Sequence, residues 1–216
     1  MSWPSLNRNG KLSSDRPNRV IGPAKRLQSI QFIRAHRVFD FMHKNITHFK
    51  GRYLSMLERD GWEFVSRSNA RKVVALVAVT ADREIILVEQ YRKPVGASVI
   101  EIPAGLVGDH DDPDESVLVA AERELEEETG YTAARFDLLM ECPSSAGMSD
   151  EIISFVVAHG LVRTGPGGGD SSENIITYAV ALEEVNDWLH EQRADGKMLD
   201  PKVYTALHWL QSGIIE

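Results

Sequence analysis

Apolar residues along this chain come in runs, and the runs predict its elements. Residues 73–79, VVALVAV, are seven aliphatics without a polar break, the pattern of a strand covered on both faces. Residues 84–89, 99–102, 136–140, 152–158 and 175–182 are further short runs that read as strands. Upstream, residues 38–41, 53–57 and 62–66 read as strands too, with Asp60-Gly61 as a hairpin turn between the last two. Turns are predicted at residues 81–83 and 143–147, and the glycine-rich stretch 165–169 predicts a mobile loop. Helices are predicted over 183–194 and 201–211, the second with Asp200 as cap and Pro201 in its first position. Residues 1–25 are polar, rich in Asn, Ser, Arg, Pro and Gly, and predict a loosely held tail.

One further helix is predicted within residues 112–130, where the pattern becomes helical and strongly acidic. Asp112 can cap it, Pro113 suits its first position, Glu115 falls at N3, and Gly130 supplies a left-handed stop. Leu118, Ala121 and Leu125 form an apolar stripe that can dock on a sheet. Glu124, Glu127 and Glu128 stand at i, i+3 and i+4, so three carboxylates crowd one face within a turn. Like charges at that spacing cost roughly 0.2–0.5 kcal/mol per pair in an isolated helix, so the cluster calls for a cation. Hard oxygen donors of this kind suit Mg2+ or Mn2+, whereas a solvated acidic face is the competing reading.

Composition narrows the classes. The 216 residues fit one domain with a modest extension, and 43% hydrophobic with 26% charged residues is ordinary for a soluble globular protein. A net charge of −8 argues against nucleic acid as the main partner, because phosphate backbones demand a basic footprint. Cys142 is the only cysteine, so no intrachain disulfide forms and a reducing cytoplasm is the expected compartment. The N-terminal stretch lacks the apolar core of a secretory leader, and the longest aliphatic run is too short to span a membrane.

The stretch ESVLVAAERELEEETGY, residues 115–131, resembles the Nudix box, in which Gly, five residues, Glu and seven residues precede Arg-Glu-apolar-x-Glu-Glu-x-Gly-apolar. From Glu115 onward every specified position matches, allowing Tyr131 for the last. In front of it the pattern departs, since position 109 is Asp109; Gly105, in EIPAG, resembles the family's glycine, with a four-residue insertion before the helix. The resemblance extends over residues 50–212 to the branch that hydrolyses ADP-ribose. It implies an α+β fold, an αβα sandwich with a mixed sheet between helices. The implied organisation is a tail at 1–35, a β-rich dimerisation segment at 36–70 and the hydrolase domain at 71–216.

The resemblance also implies roles. Glu124 and Glu128 become metal ligands for Mg2+, or Mn2+, with Glu127 a ligand or orienter and the carbonyl of Ala104 a further donor. Arg123 becomes the arginine that holds these carboxylates, unless it is an exposed ion pair. Glu173, just after the glycine-rich stretch, is the candidate general base, with Glu127 as substitute and a solvated loop carboxylate as the alternative. Trp62 in WEFVSR resembles the branch's adenine-stacking tryptophan, or else is a core residue. Arg67, Arg92 in EQYR, Glu101 and Glu151 are candidate substrate contacts; for Glu101 a purely structural hydrogen bond competes. One departure stands out: Ala146 in SAG replaces the branch's proline.

The implied activity is hydrolysis of ADP-ribose to AMP and ribose 5-phosphate by a cytoplasmic homodimer acting on a small molecule, with no nucleic-acid or membrane partner. Hydrolysis of another nucleoside diphosphate sugar, such as GDP-mannose or a UDP-sugar, is the alternative within enzymes. A Nudix-fold sensor that binds ADP-ribose without cutting it, or a plain acidic interaction helix, is the alternative outside them.

Overall fold

The computed structural model describes residues 45–70, 72–108, 112, 114–169 and 174–215. The expected tail at 1–35, the strand at 38–41 and Pro113 lie outside the described residues. Residues His43–Glu216 belong to one compact unit.

That unit begins with an antiparallel meander of β1 (Ile46–Lys50), β2 (Leu54–Arg59) and β3 (Trp62–Arg67). Asp60 and Gly61 both take positive φ, 54° and 81°, the geometry whose twist suits a two-residue hairpin, and Arg59 consequently pairs with Trp62.

Two four-stranded sheets form the centre. One has the order β7 (Ala104–Val107), β4 (Lys72–Ala78), β10 (Ile152–His159), β9 (Arg135–Pro143), and β4 runs parallel to β10. The other has the order β12 (Ile175–Ala181), β5 (Glu84–Arg92), β6 (Ala97–Glu101), β13 (Met198–Leu199), with β13 parallel to β6. Outside both sheets, β8 (Tyr131–Thr132) and β11 (Val162–Arg163) make a two-residue ladder. Strand β7 had no signature in the sequence, because Pro103 alone separates it from the run that forms β6.

The aliphatic run at 73–79 is buried on both faces, as its composition requires. Val74, Leu76 and Ala78 pack with Ala120, Ala121 and Leu125 of α1 (Val117–Thr129). Ala75 and Val77 pack on the other side with Leu189 of α2 (Val185–Ala194) and with Val203, Leu207 and Trp209 of α3 (Pro201–Gln211). Helices therefore cover both faces of the strands. Each fully buried Leu or Ile stabilises this arrangement by about 1.5–3 kcal/mol. Among the described residues no helix is long and apolar enough to cross a membrane.

Helix α1 starts later than its sequence suggested. Ser116 is the N-cap and accepts from the Val119 amide at 3.3 Å, while Asp112 accepts from the Asp114 amide in a separate turn. Ser and Asp cap about equally well. What decides between them is Glu115, whose carboxylate is engaged by Arg123 and by the Gly108 amide and so stands outside the helix rather than at N3. Leu118 is consequently exposed, and the buried face is Ala120, Ala121, Glu124, Leu125, Glu128 and Thr129. Gly130, with φ 71°, ends the helix and returns its amide to the Glu126 carbonyl. Helix α3 has the predicted bounds and the predicted Asp200 cap.

Candidate active site

Two of the three crowded carboxylates lie on the buried side of α1: Glu124 is 8% exposed and Glu128 only 3%. Burying carboxylates is expensive unless each is hydrogen-bonded or paired. Glu128 accepts from the Ala104 amide at 3.0 Å, at the first residue of β7. Glu124 lies directly over the next residue, Gly105. A Cβ at that position would fall 1.9 Å from the Glu124 carboxyl carbon, so the glycine is there for close approach.

Arg123 is the hub. Its Nε donates to Glu115 Oε1 (3.0 Å), one Nη to Glu124 Oε1 (2.8 Å) and Glu127 Oε2 (3.2 Å), and the other Nη to the Leu106 carbonyl (3.0 Å). A planar guanidinium with five donors can serve three carboxylates and a carbonyl at once; an ammonium cannot. Burial acts to lower the Arg123 pKa, but the hydrogen bonds and charges of Glu115 and Glu124 outweigh it and hold the group above its ordinary value. The side chain is 19% exposed, which removes the reading of Arg123 as an exposed ion pair.

The last turn of α1 is pinned as well. Gly169 donates to the Glu127 carbonyl, and Gly168 and Thr177 to the Glu128 carbonyl. Gly165 and Gly167 crowd Gly130, where an added Cβ would meet the Gly165 oxygen at 2.2 Å. The glycine-rich stretch expected to be mobile is thus moored at 165–169 to the acidic helix. Glu173 lies outside the described residues, four positions beyond that mooring.

A cleft of about 650 Å³ opens in front of these groups. Ala104, Gly105, Arg123, Glu124 and Glu127 line it, and so do Arg67, Arg92, Glu101 and Glu151. The four candidate contacts form two ion pairs: Arg67 Nε with Glu151 Oε1 at 2.6 Å, and Arg92 Nε with Glu101 Oε2 at 2.5 Å. Glu101, 5% exposed, therefore has the structural hydrogen bond that competed with a substrate role and also reaches the cleft. Lys202, unanticipated from sequence, lines the cleft too, 3.8 Å from Glu101 and 2.6 Å from Asp200. Its only sequence signal was its place two residues after a helix cap.

Trp62 does not line this cleft. It is 65% exposed, which excludes a core role, and its Nε1 donates to the Gly147 carbonyl at 3.1 Å. With Arg59, Phe64, Ala146 and Asp150 it borders a separate recess of about 440 Å³.

Hard carboxylate oxygens lie close together here: Glu124 over Gly105 and Glu128 on the Ala104 amide, with Glu127 beside them on the same turn of α1. Among the described residues no three His, Cys, Asp or Glu side chains stand around one point as ion ligands. Two carboxylates nevertheless fit Mg2+, which commonly keeps several waters and takes only one or two protein carboxylates.

Comparison with known proteins agrees with this geometry. A family model described as NUDIX domain matches residues 70–204. The chain is 39% identical over 139 residues to a methanol dehydrogenase activator of Bacillus methanolicus, covering 64% of this chain and 71% of that one. It is 37% identical over 139 residues to an ADP-ribose pyrophosphatase of Bacillus subtilis strain 168, with the same coverage of 64% and 71%. A solved structure, "Crystal structure of ADP compounds hydrolase", superposes with a TM-score of 0.59 at 23% identity, covering 79% of this chain and 91% of that one; this likeness concerns the fold.

Proposed function

The chain belongs to the Nudix family, and from that premise we propose that it is a divalent-metal-dependent diphosphatase cleaving ADP-ribose into AMP and ribose 5-phosphate. The observation that carries this reading is the approach of Glu124 to Gly105, which sets a nearly buried carboxylate at the floor of the cleft beside Arg123 and Glu127. A binding protein has no need of so costly an arrangement, which favours an enzyme over a sensor.

Glu124, Glu128 and the carbonyl of Ala104, with Glu127 beside them, would hold Mg2+ or Mn2+. When bound, the metal offsets the charge of the diphosphate and makes a coordinated water more acidic. Everything else falls to the chain. Arg123 fixes the carboxylates so that they need not reorganise as charge develops. Arg92 offers guanidinium donors suited to phosphate oxygens, Glu101 and Glu151 offer acceptors for sugar hydroxyls, and Arg67, paired with Glu151, lines the same cleft. A proton must leave the attacking water, and Glu173 is the proposed acceptor, with Glu127 as substitute.

The exposed indole of Trp62 is proposed as the adenine platform, set apart from the reacting end of the substrate. The presence of Ala146 in that same recess favours a second reading, hydrolysis of a nucleoside diphosphate sugar with another base. The β1–β3 meander exposes Ile46, Phe49, Leu54 and Met56, apolar residues consistent with a homodimer formed through this segment. A reducing cytoplasm is the proposed compartment, in keeping with the single cysteine.

The purified protein is incubated with Mg2+ and ADP-ribose, GDP-mannose or UDP-glucose, and products are resolved by chromatography, with Glu128→Gln as control. AMP from ADP-ribose, lost in the variant, is the expected result. Turnover of only another sugar nucleotide moves the assignment to the second reading, and binding without turnover to a sensor.

A further inference from the structure

The segment 144–151 connects β9 to β10, and its second half behaves as an extra strand of the N-terminal meander. Val65 and Ser149 form a parallel bridge; the Val65 amide donates to the Met148 carbonyl at 2.8 Å, and the Asp150 amide to the Val65 carbonyl at 3.4 Å. Side chains continue the seam at both ends. Trp62 Nε1 donates to the Gly147 carbonyl at 3.1 Å, Ser66 Oγ to Asp150 Oδ2 at 3.0 Å, and Arg67 Nε to Glu151 Oε1 at 2.6 Å. On the other side, the Glu151 carbonyl accepts from the Ser144 amide at 3.0 Å, closing the loop on itself.

We propose that Arg67 is a positioning residue: as the last rung of this seam, it fixes where the Glu151 carboxylate enters the cleft and serves substrate binding through Glu151. The inference rests on the diphosphatase reading, in which Glu151 accepts from the substrate. An isolated, half-exposed ion pair holds its partners weakly, contributing about 0–1 kcal/mol. Here the pair closes a run of main-chain and side-chain bonds in fixed register, so the guanidinium has one carboxylate position to hold. The seam also joins the Trp62 recess to the catalytic cleft through five consecutive residues, Gly147 to Glu151.

A double-mutant cycle separates this from direct substrate contact by Arg67. Arg67→Met and Glu151→Gln are each expected to raise KM about tenfold with kcat changed less than threefold, and the double variant also about tenfold, because both remove the same contact. Arg67→Lys, which retains a donor, is expected to recover most of the loss. A double variant near a hundredfold shows that Arg67 touches substrate independently and overturns the proposal. Hydrogen exchange supplies a readout that needs no turnover: amides 148–151 are expected to exchange at least tenfold faster in Arg67→Met. Unchanged exchange overturns the proposal, whereas a wild-type protein that cleaves no sugar nucleotide overturns only the diphosphatase reading.

Discussion

Glu124 occupies the space that a side chain on Gly105 would fill, with the carboxylate oxygens 1.9 and 2.3 Å from where a Cβ would stand. Gly105 lies in a strand and has no need of glycine for its backbone, so the requirement is purely one of space. Gly105→Ala is therefore expected to displace Glu124 from the cleft floor. Turnover should fall by about a hundredfold or more, since loss of a transition-state charge stabiliser costs about 3 kcal/mol. Melting temperature should change by only a few degrees. Near-wild-type kcat in this variant would show that Glu124 need not be where it is.

Metal binding is testable without catalysis. A ligand that binds only the folded state stabilises it by about 2.7 kcal/mol at a hundred times Kd. For a chain of this size that corresponds to a rise of roughly 5–10 °C in melting temperature. Wild-type protein should show that rise on adding Mg2+ and lose it with a chelator, while Glu124→Gln and Glu128→Gln should show little. An equal rise in all three would place the metal elsewhere.

Arg123 serves partners that no substitute can serve together. Arg123→Met removes the guanidinium from Glu115 and Glu124, whose side chains are only 7% and 10% exposed. Breaking a buried pair in this way costs about 3–5 kcal/mol, or roughly 6–20 °C in melting temperature. Arg123→Lys should lose less stability but still most of the activity, because a point charge cannot hold Glu115, Glu124, Glu127 and the Leu106 carbonyl in one geometry. Full activity in the lysine variant would reduce Arg123 to a simple counter-ion.

What the sequence made legible, and what it hid, follows from the range of the forces involved. The aliphatic run around Leu76 and the Asp200-Pro201 start of α3 are local statements, and both are as expected. The spacing of Glu124, Glu127 and Glu128 predicted a nearby cation, and Arg123 stands on two of them, but it did not predict that Glu124 and Glu128 would face inward. That depends on Ala104 and Gly105, about twenty residues away. The start of α1 was misread because Glu115 answers to Arg123 and Gly108 across a turn, a contact no local capping rule contains. For Trp62 the sequence left an adenine-stacking role and a core role open; its 65% exposure removes the core role, and its hydrogen bond to Gly147, 85 positions away, holds it at a recess that no local pattern announces. Lys202 reached the cleft because β13 joins the edge of β6, a two-residue pairing with no pattern to announce it.

A second network of charged and polar groups, Glu89, Tyr178, Gln192 and Lys197, lies away from the acidic helix. Glu89 accepts from Lys197 Nζ at 2.6 Å and from the Tyr178 hydroxyl at 2.8 Å, and Lys197 also donates to Gln192. Burial alone would raise the Glu89 pKa, but bonds from Lys197, Tyr178 and Ser98 outweigh it and hold the carboxyl below its ordinary 4.5. Burial would lower the Lys197 pKa, and Glu89 outweighs it, so the ammonium is held above 10.5. Burial and the neighbouring Glu89 both push Tyr178 up from 10.0. A depressed carboxylate contributes stability that is complete above 4.5 and disappears as pH falls through the folded value. The raised Lys197 and Tyr178 contribute stability that is complete below about 10 and disappears as pH rises through their folded values. Wild-type protein should thus lose melting temperature on the acid side more steeply than Glu89→Gln, which has no proton to take up there. Lys197→Met should lower stability at pH 7 by about 2 kcal/mol, the worth of a hydrogen bond to a charged group, and flatten the same acid limb. Because Met198, Leu199 and Asp200 follow Lys197 directly and line the cleft, this variant should also raise KM. Parallel melting curves for wild type and Glu89→Gln from pH 3 to pH 7 would show that the network stores no pH-dependent stability.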